Sequence, residues 1–168
     1  PLSLAELPVQ YADYSHWQRQ RLQGEGLENH LSYWREKLKG ARPVLEFPTD
    51  RPRPPTRSYS GGRETVVVSR ELLTSLQTLC RSERVTLFAA LLSTFEILLY
   101  RYTGQDDLIV GSPVAGRNRT ELESMIGFFV NPLVLRADLS GNPSFRELLA
   151  RIHALVLDAG AHQDLPFE

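Results

Sequence analysis

The stretch Met125-Ile-Gly-Phe-Phe-Val-Asn-Pro-Leu-Val-Leu-Arg136 decides how the rest of the chain is interpreted. Its length and its apolar residues are typical of a buried β-strand. Two residues at its centre oppose that environment. The amide of Asn131 costs roughly 1–3 kcal/mol if it is buried without a partner, and Pro132 cannot donate to a sheet ladder. Together they predict a gap in the sheet faced by one hydrogen-bonding amide. A structural amide bonded to a neighbouring backbone is the alternative.

Alternation along this stretch places Phe129 and Asn131 on one face of the strand, and Phe128 and Val130 on the other. Both faces are otherwise apolar. We therefore expect a strand that is covered on both sides.

Composition excludes several classes of function. The chain has 168 residues, 42% of them hydrophobic and 23% charged, which is the balance of a globular domain. A net charge of −1 argues against nucleic acid or an anionic membrane as partner. Cys80 is the only cysteine, so neither an internal disulfide nor a thiolate metal cluster is expected. The longest apolar run is too short for a bilayer, and the N-terminus has no signal-peptide pattern, so a cytoplasmic protein is expected.

Periodicity and turn residues predict helices alternating with strands after two initial helices, which favours an α/β layered domain. The predicted helices are Tyr11–Leu22, one ending at Gly40, Ser69–Arg81, Thr86–Tyr102 and one from Asn142 to Gly160; the further strands are Arg63–Val68 and Asp107–Val114. The helix near residues 86–102 is apolar on almost all sides, so it should be the most buried. Five of the eleven prolines lie within residues 42–57, which indicates an extended connector. A polyproline ligand for an adaptor domain is the alternative.

Two further positions are candidates for chemistry. Gly111, Ser112 and Pro113 resemble a turn at the carboxyl end of a strand, where α/β folds place ligand contacts. Without a Gly-x-Ser-x-Gly pattern around it, Ser112 is not favoured as a nucleophile.

The four histidines do not show metal-ligand spacing, so no zinc site is expected. His16, His30 and His153 are predicted on exposed helix faces. His162 directly follows a predicted helix end, where a histidine either complements the helix dipole or has a functional role.

Four stretches, in order along the chain, resemble the condensation domain of a nonribosomal peptide synthetase. They are Tyr11-Ala-Asp-Tyr-Ser-His-Trp17, Gly111-Ser-Pro-Val-Ala-Gly-Arg117, Ile126–Arg136 and His162-Gln-Asp-Leu-Pro-Phe-Glu168. The resemblance implies part of a chloramphenicol acetyltransferase-like α/β fold, a layered sheet with helices built as two lobes around a tunnel. Residues 1–41 would be the helical end of the first lobe, residues 42–62 a proline-rich crossover, and residues 63–168 the first part of the second lobe.

The same resemblance implies peptide-bond formation between thioesters tethered to carrier proteins. The partners would be donor and acceptor peptidyl carrier proteins and an adjacent adenylation domain. Substrates would ride on the phosphopantetheine of the carriers, with no cofactor bound to the chain itself.

By this resemblance, Asn131 and Phe129 would line the substrate tunnel, and Gly111 and Ser112 would border it. Residues of the first and last motifs would shape and hold the region rather than react. These residues are Tyr11, Asp13, Tyr14, Trp17, His162, Gln163 and Asp164.

Two departures from the family pattern matter. Pro132 stands where the family usually has threonine, which removes a hydroxyl and a backbone donor. The signature H-H-x-x-x-D-G, whose second histidine assists the amine attack, is not in this sequence. We therefore expect no catalytic residue within the chain and no activity from the chain alone. Epimerisation, heterocyclisation and a non-catalytic scaffold that docks carriers are the alternatives. Core faces that meet other strands in a complete domain should be exposed and favour self-association.

Overall fold

The computed structural model describes residues 6–52, 54–56, 58 and 60–167. Arg53 and Arg57 of the proline-rich segment and Glu168 of the closing motif lie outside the described residues. The described elements follow in chain order: α1 (Tyr11–Arg21), α2 (Gly24–Leu38), α3 (Arg70–Glu83), α4 (Leu87–Thr103), β1 (Asp107–Val114), a 3₁₀ helix (Thr120–Leu122), β2 (Asn131–Asp138) and α5 (Phe145–Ala161).

The five helices and the strand β1 confirm the sequence prediction to within a few residues at each end. Their caps explain the agreement. The Ser69 hydroxyl accepts from the N–H of Leu72 at 3.2 Å and begins α3, and the Thr86 hydroxyl accepts from the N–H of Ala89 at 3.1 Å and begins α4. Gly104 ends α4 in the left-handed conformation at φ 69°.

Within the described residues, β1 and β2 form a two-stranded sheet. The N–H of Leu139, directly after β2, donates to the carbonyl of Asp106, directly before β1, at 2.8 Å. Because the end of one strand therefore lies beside the start of the other, the strands run antiparallel.

The structure corrects the predicted strand over Arg63–Val68. These residues form no strand, and Val66 and Val67 are 86% and 87% exposed. β-branched residues favour a strand only when a neighbouring strand and a packed face receive them. Local composition indicated a strand here, but it carries no information about a pairing partner.

The decisive stretch is also shorter as a strand than predicted, because β2 begins at Asn131. Its two faces differ. Phe129 and Leu133 are buried, whereas Ile126 is 90% and Phe128 76% exposed. The prediction of cover on both sides is therefore wrong: one apolar face lies open to solvent. The predicted turn at Gly111 is wrong as well, since Gly111–Val114 continue β1.

The chain divides into two compact units. The first comprises Pro1–Ala41, Val110–Arg136 and Leu157–Glu168, and its described core is formed by Leu122, Met125 and Phe129 with Val9 and Tyr14 packed against them. Arg136 donates to the carbonyls of Lys37 and Lys39 at 3.0 and 2.8 Å. This guanidinium therefore satisfies carbonyls that the end of α2 would otherwise leave open.

The second unit comprises Arg42–Ile109 and Ala137–Val156. Six residues of α4 are buried, but Leu91 and Leu98 are about half exposed, so burial does not extend around the helix. The proline-rich segment is neither helix nor strand where it is described. It is held by Gln105, whose side chain accepts from the N–H of Glu46 at 2.8 Å and donates to the carbonyl of Val44 at 3.2 Å.

A buried acid interrupts the apolar surface of α4. Glu96 is fully buried, and its two carboxylate oxygens have no hydrogen-bond partner among the described residues. Burial raises the pKa of Glu96 to about 8, so the neutral acid is the form that the fold accepts near neutral pH.

No single helix of the described residues is long and apolar enough to cross a bilayer. Only α3 and α4 taken as a pair pass by length and composition, and they are bent by 104° at their junction.

We expect this chain to self-associate at micromolar concentration, because the open face around Ile126 and Phe128 offers apolar surface to a second copy. Light scattering should give a mass above that of one chain. The double variant Ile126→Lys/Phe128→Lys should lower it, whereas Leu157→Lys, at another exposed leucine, should not. A clean monomer for the unmodified chain would contradict this expectation.

Candidate functional site

The side-chain amide of Asn131 makes three hydrogen bonds to one short segment of backbone. Its Nδ2 donates to the carbonyls of Gln163 and Leu165 at 2.9 and 2.7 Å, and its Oδ1 accepts from the N–H of Phe167 at 3.0 Å. The half-buried amide thus uses both of its donors and its acceptor. It ties the start of β2 to the segment that follows α5.

This geometry explains how the chain tolerates a polar residue at the head of an apolar strand. The amide satisfies carbonyls and an N–H that have left the helical ladder of α5, so the polar groups on both sides gain partners. These contacts match the structural alternative that the sequence left open for Asn131. Its place in a substrate tunnel stays a prediction.

We call the contact of Asn131 with residues 163–167 the clamp. A pocket of about 170 Å³ opens beside it. It combines aromatic rings with amide and carboxylate groups, and several of the predicted site residues border it. Its walls are formed by Tyr11, Tyr14, Gln18, Gly116, Phe128, Phe129, Val130, Asn131, Gln163, Asp164 and Pro166. Gly111 and Ser112 are not among these residues; both lie within β1, Gly111 exposed and Ser112 half-buried.

An aromatic cluster fixes α1 against the pocket. Phe129 meets Tyr11 edge-on at 5.3 Å and Tyr14 at 4.8 Å between ring centroids, and Tyr14 lies 5.9 Å from Trp17. The Tyr11 hydroxyl donates to the carbonyl of Phe128 at 2.9 Å. The spacing of the Tyr11 motif therefore presents three rings to one side of the helix.

Arginines cover the outer faces of these rings. The guanidinium of Arg117 lies 4.3 Å from the centroid of Phe129, and that of Arg119 lies 4.5 Å from the centroid of Trp17. Arg117 also donates to the carbonyl of Leu122. These contacts connect the loop after β1 with the cluster through cation–π attraction and a backbone bond.

Two glycines allow this close packing. A Cβ on Gly127 would lie 2.3 Å from Cδ2 of Tyr11, and a Cβ on Gly116 would lie 2.0 Å from the carbonyl oxygen of Phe129. Gly116 also has φ +64°, a conformation that L side chains rarely adopt. Glycine at both positions is therefore a requirement of the packing.

His162 follows α5 and is held on three sides. Its ring stacks on Tyr33 at 3.8 Å and 7°, its carbonyl accepts from the indole N–H of Trp34 at 3.3 Å, and its Nδ1 lies 3.1 Å from Nδ1 of His30. His30 is therefore half-buried, which corrects its predicted exposure, whereas His16 is exposed as predicted. His153 is also half-buried, and its Nδ1 has no partner among the described residues.

The acids of the two motifs have structural partners. Asp13 accepts from the N–H of Gln10 at 2.9 Å and caps α1. Asp164 accepts from Nδ2 of Asn118 at 2.9 Å and lies 3.7 Å from the guanidinium of Arg21. Burial, and next the charge of Asp164, raise the pKa of Tyr14, so its phenol stays neutral.

Among the described residues, no three His, Cys, Asp or Glu side chains are grouped so that they could hold a metal ion. Gln18, Tyr33 and Trp34 contribute to this region but were not singled out from the sequence. Their helices were predicted correctly, but no site role was assigned to these three residues. No local pattern indicated that Tyr33 would stack on His162, more than a hundred positions along the chain.

Comparison with known proteins agrees with this arrangement. A family model described as the condensation domain matches residues 2–168. A linear gramicidin synthase of Brevibacillus parabrevis is 59% identical over 165 residues, which are 98% of this chain and 3% of the synthase polypeptide. The chain therefore belongs to the condensation-domain family.

Solved structures show the same fold. The X-domain from teicoplanin biosynthesis, in complex with OxyB, is 30% identical with a TM-score of 0.89, and the match covers 98% of this chain and 37% of the X-domain chain. The four-domain nonribosomal peptide synthetase holo-AB3403, bound to AMP and glycine, is 26% identical with a TM-score of 0.85, covering 98% of this chain and 13% of that protein. The fold is the chloramphenicol acetyltransferase-like α/β fold of condensation domains, and the chain spans less than two fifths of the X-domain chain.

Replacing Asn131 by alanine should lower the free energy of unfolding by about 1.5–4.5 kcal/mol, because three hydrogen bonds worth roughly 0.5–1.5 kcal/mol each are lost. Asn131→Asp should cost at least as much, because an oxygen then faces two carbonyls. Chemical denaturation followed by circular dichroism measures both. The matched control is Asn29→Ala, at an exposed asparagine of α2, and it should change stability by less than about 0.5 kcal/mol. Equal effects at both positions would contradict the clamp.

Gly127→Ala should destabilise the chain by about 1–3 kcal/mol, because the new methyl group overlaps the ring of Tyr11. The denaturant midpoint measures the change. Gly160→Ala is the control, since a Cβ there meets nothing within 4 Å and alanine favours a helix. A Gly127→Ala midpoint at or above that of the unmodified chain would refute the close approach.

Proposed function

We propose that this chain is the middle portion of a condensation domain that joins aminoacyl and peptidyl groups held as thioesters on carrier proteins. The observation that carries the proposal is the clamp of Asn131 on residues 163–167 beside the aromatic pocket. It links two of the stretches that resemble the family, and the chain belongs to that family over nearly its whole length.

In the proposed reaction the acceptor's α-amine attacks the donor's thioester carbonyl. A C–N bond forms, the C–S bond breaks, and the amine's proton must leave while the thiol of the donor's carrier is released. Residues 1–168 contain no adjacent histidine pair, so the group that handles this proton is expected outside this sequence. The role of this chain would be to shape the passage in which the two thioesters meet.

Within that passage we assign Asn131 and Phe129 to the wall, with Gly111 and Ser112 at its border. Phe129 and Asn131 support the assignment, because both line the pocket beside the clamp. Tyr11, Tyr14 and Trp17 would hold Phe129 in place from α1. The division into residues 1–41, 42–62 and 63–168 remains our proposal for the lobes and their crossover.

The proposed partners are carrier proteins with phosphopantetheine arms and an adenylation domain. The proposed location is the cytoplasm. The likeness to the gramicidin synthase and to holo-AB3403, a nonribosomal peptide synthetase of four domains, supports this assignment. The chain itself would bind no cofactor and would receive substrates on the carriers' arms.

A docking scaffold without catalysis is the second candidate. The X-domain from teicoplanin biosynthesis favours it, because that domain was solved as a complex with OxyB and shares 30% identity with this chain. In that case the same pocket and clamp would serve to present a surface to a protein partner.

The test uses the complete domain that contains this chain, with an aminoacyl carrier on the donor side and another on the acceptor side. Mass spectrometry should detect the dipeptide. Asn131→Ala should lower the rate of its formation by about 10–100-fold, which corresponds to an activation free energy about 1.4–2.8 kcal/mol higher because the reacting groups are misplaced. Asn29→Ala serves as the matched control and should retain the full rate.

One outcome separates the two candidates, and a second tests the assignment of the proton-handling group. Carrier binding without dipeptide by the unmodified domain would contradict peptide-bond formation and favour the scaffold. The 168-residue chain mixed alone with both loaded carriers should give no dipeptide above background. Turnover by that chain would refute our assignment of the proton-handling group to residues outside it.

A further inference from the structure

His30 on α2 and His162 after α5 meet through identical atoms. Their Nδ1 atoms are 3.1 Å apart, and the rings stand edge-on at 88° with centroids 5.1 Å apart. A neutral imidazole nitrogen either carries a proton or offers a lone pair. The contact is therefore attractive only while one Nδ1 is protonated and the other is not. Protonation of both rings would bring two N–H donors and two positive charges into contact.

The charged groups around the pair leave little compensation for a second positive charge. Asp164 is the acid whose charge raises the pKa of His30. It is already paired with Arg21 at 3.7 Å and with Nδ2 of Asn118 at 2.9 Å. Tyr33 lies on the other side of the His162 ring. The ammonium of Lys37 is 5.5 Å from the centroid of the Tyr33 ring.

Lys37 is itself paired with Asp158 at 2.8 Å. Both carboxylates near the histidine pair thus have a cationic partner. The hydroxyl of Tyr33 is buried without a hydrogen-bond partner among the described residues, and burial, followed by the charge of Asp158, raises its pKa to about 12. Tyr33 therefore remains a neutral phenol over the range in which histidines titrate.

Burial, and next the positive charge on His162, lower the pKa of His30, and the opposing effect of Asp164 is smaller. The fold therefore favours neutral His30 relative to the unfolded chain. A group with a lowered pKa contributes stability that is present above its unfolded value, here 6.5, and is lost as the pH falls through the folded value.

His162 is the first residue of the segment that Asn131 holds further along, at Gln163, Leu165 and Phe167. A repulsion at His162 acts on the end of the segment where it leaves α5. The indole N–H of Trp34, bonded to the carbonyl of His162 at 3.3 Å, reports directly on whether that end is in place.

We propose that the His30–His162 pair is a pH-sensitive switch that holds residues 162–167 against α2 while it shares a single Nδ1 proton and releases them when both rings are protonated. The switch does not depend on the proposed reaction, because it follows from contacts within this chain alone. In a condensation domain it would loosen the wall of the pocket under mildly acidic conditions.

The experiment records the protection of indole N–H groups against solvent exchange in the ¹⁵N-labelled chain from pH 8 to pH 5. The chain has two tryptophans, and the indole chemical shift of Trp17, whose ring packs against Tyr14, serves as an internal reference for global unfolding. The protection factor of Trp34 should fall below pH 6.5 by at most about tenfold per pH unit, the linkage limit for one proton, while the indole resonance of Trp17 keeps its folded position.

His30→Asn keeps a neutral hydrogen-bonding group near the Nδ1 position and removes the second charge, so the protection of Trp34 should become independent of pH. His16→Asn, at an exposed histidine bonded to Gln20, should retain the full dependence. A flat profile in the unmodified chain, or the same fall in His30→Asn, would overturn the proposal.

If His30→Asn does not fold, the histidine ring resonances of the unmodified chain decide the question. The ring of His30 should take up its proton below the ordinary histidine pKa, because burial and the positive charge of His162 oppose that protonation. Protonation of His30 at the ordinary histidine pKa would overturn the switch.

Discussion

The carboxamide of Asn131 is the contact on which the candidate site depends. Its three bonds reach the backbone of Gln163, Leu165 and Phe167, which has left the hydrogen-bonded ladder of α5. Without the amide, two carbonyls and an N–H would need water or another partner. A residue that is costly in a strand thus becomes the connection between the start of β2 and the end of the chain.

The packing around the clamp leaves little room for larger side chains. Phe129, two positions before Asn131, receives the rings of Tyr11 and Tyr14 on one side and the guanidinium of Arg117 on another. Gly127 makes room for the ring of Tyr11. The pocket is therefore bounded by groups whose positions depend on one another, which is how a first motif on α1 and a last motif after α5 become parts of one site.

The sequence predicted the elements whose signals are local. Helix caps such as Ser69 and Thr86, and the helical spacing of apolar residues, gave the five helices, and the resemblance of four short stretches gave the family. Three of the failures concern contacts with distant parts of the chain. Val66 and Val67 have strand composition but meet no strand, the outer face at Phe128 stays open, and His30 is covered by a residue from the far end of the chain. Local pattern cannot supply such contacts, because they are determined by what the rest of the fold brings near.

The position of Asn131 was predicted and its partners were not. An orphan amide in a strand indicates that some partner exists, and it leaves open whether that partner is a substrate or a backbone segment. The structure gives the backbone, with the pocket beside it. In this chain the amide therefore supports the wall of the pocket through the segment that it holds.

Solvent exchange of the two Nδ2 protons of Asn131, followed by side-chain amide resonances in the ¹⁵N-labelled chain, tests this view most directly. Both protons should be protected, because each donates to a carbonyl, and both should give the downfield shifts of bonded amides. Exchange of both protons at the rate of a free amide would show that the carboxamide does not hold the segment and would contradict the account.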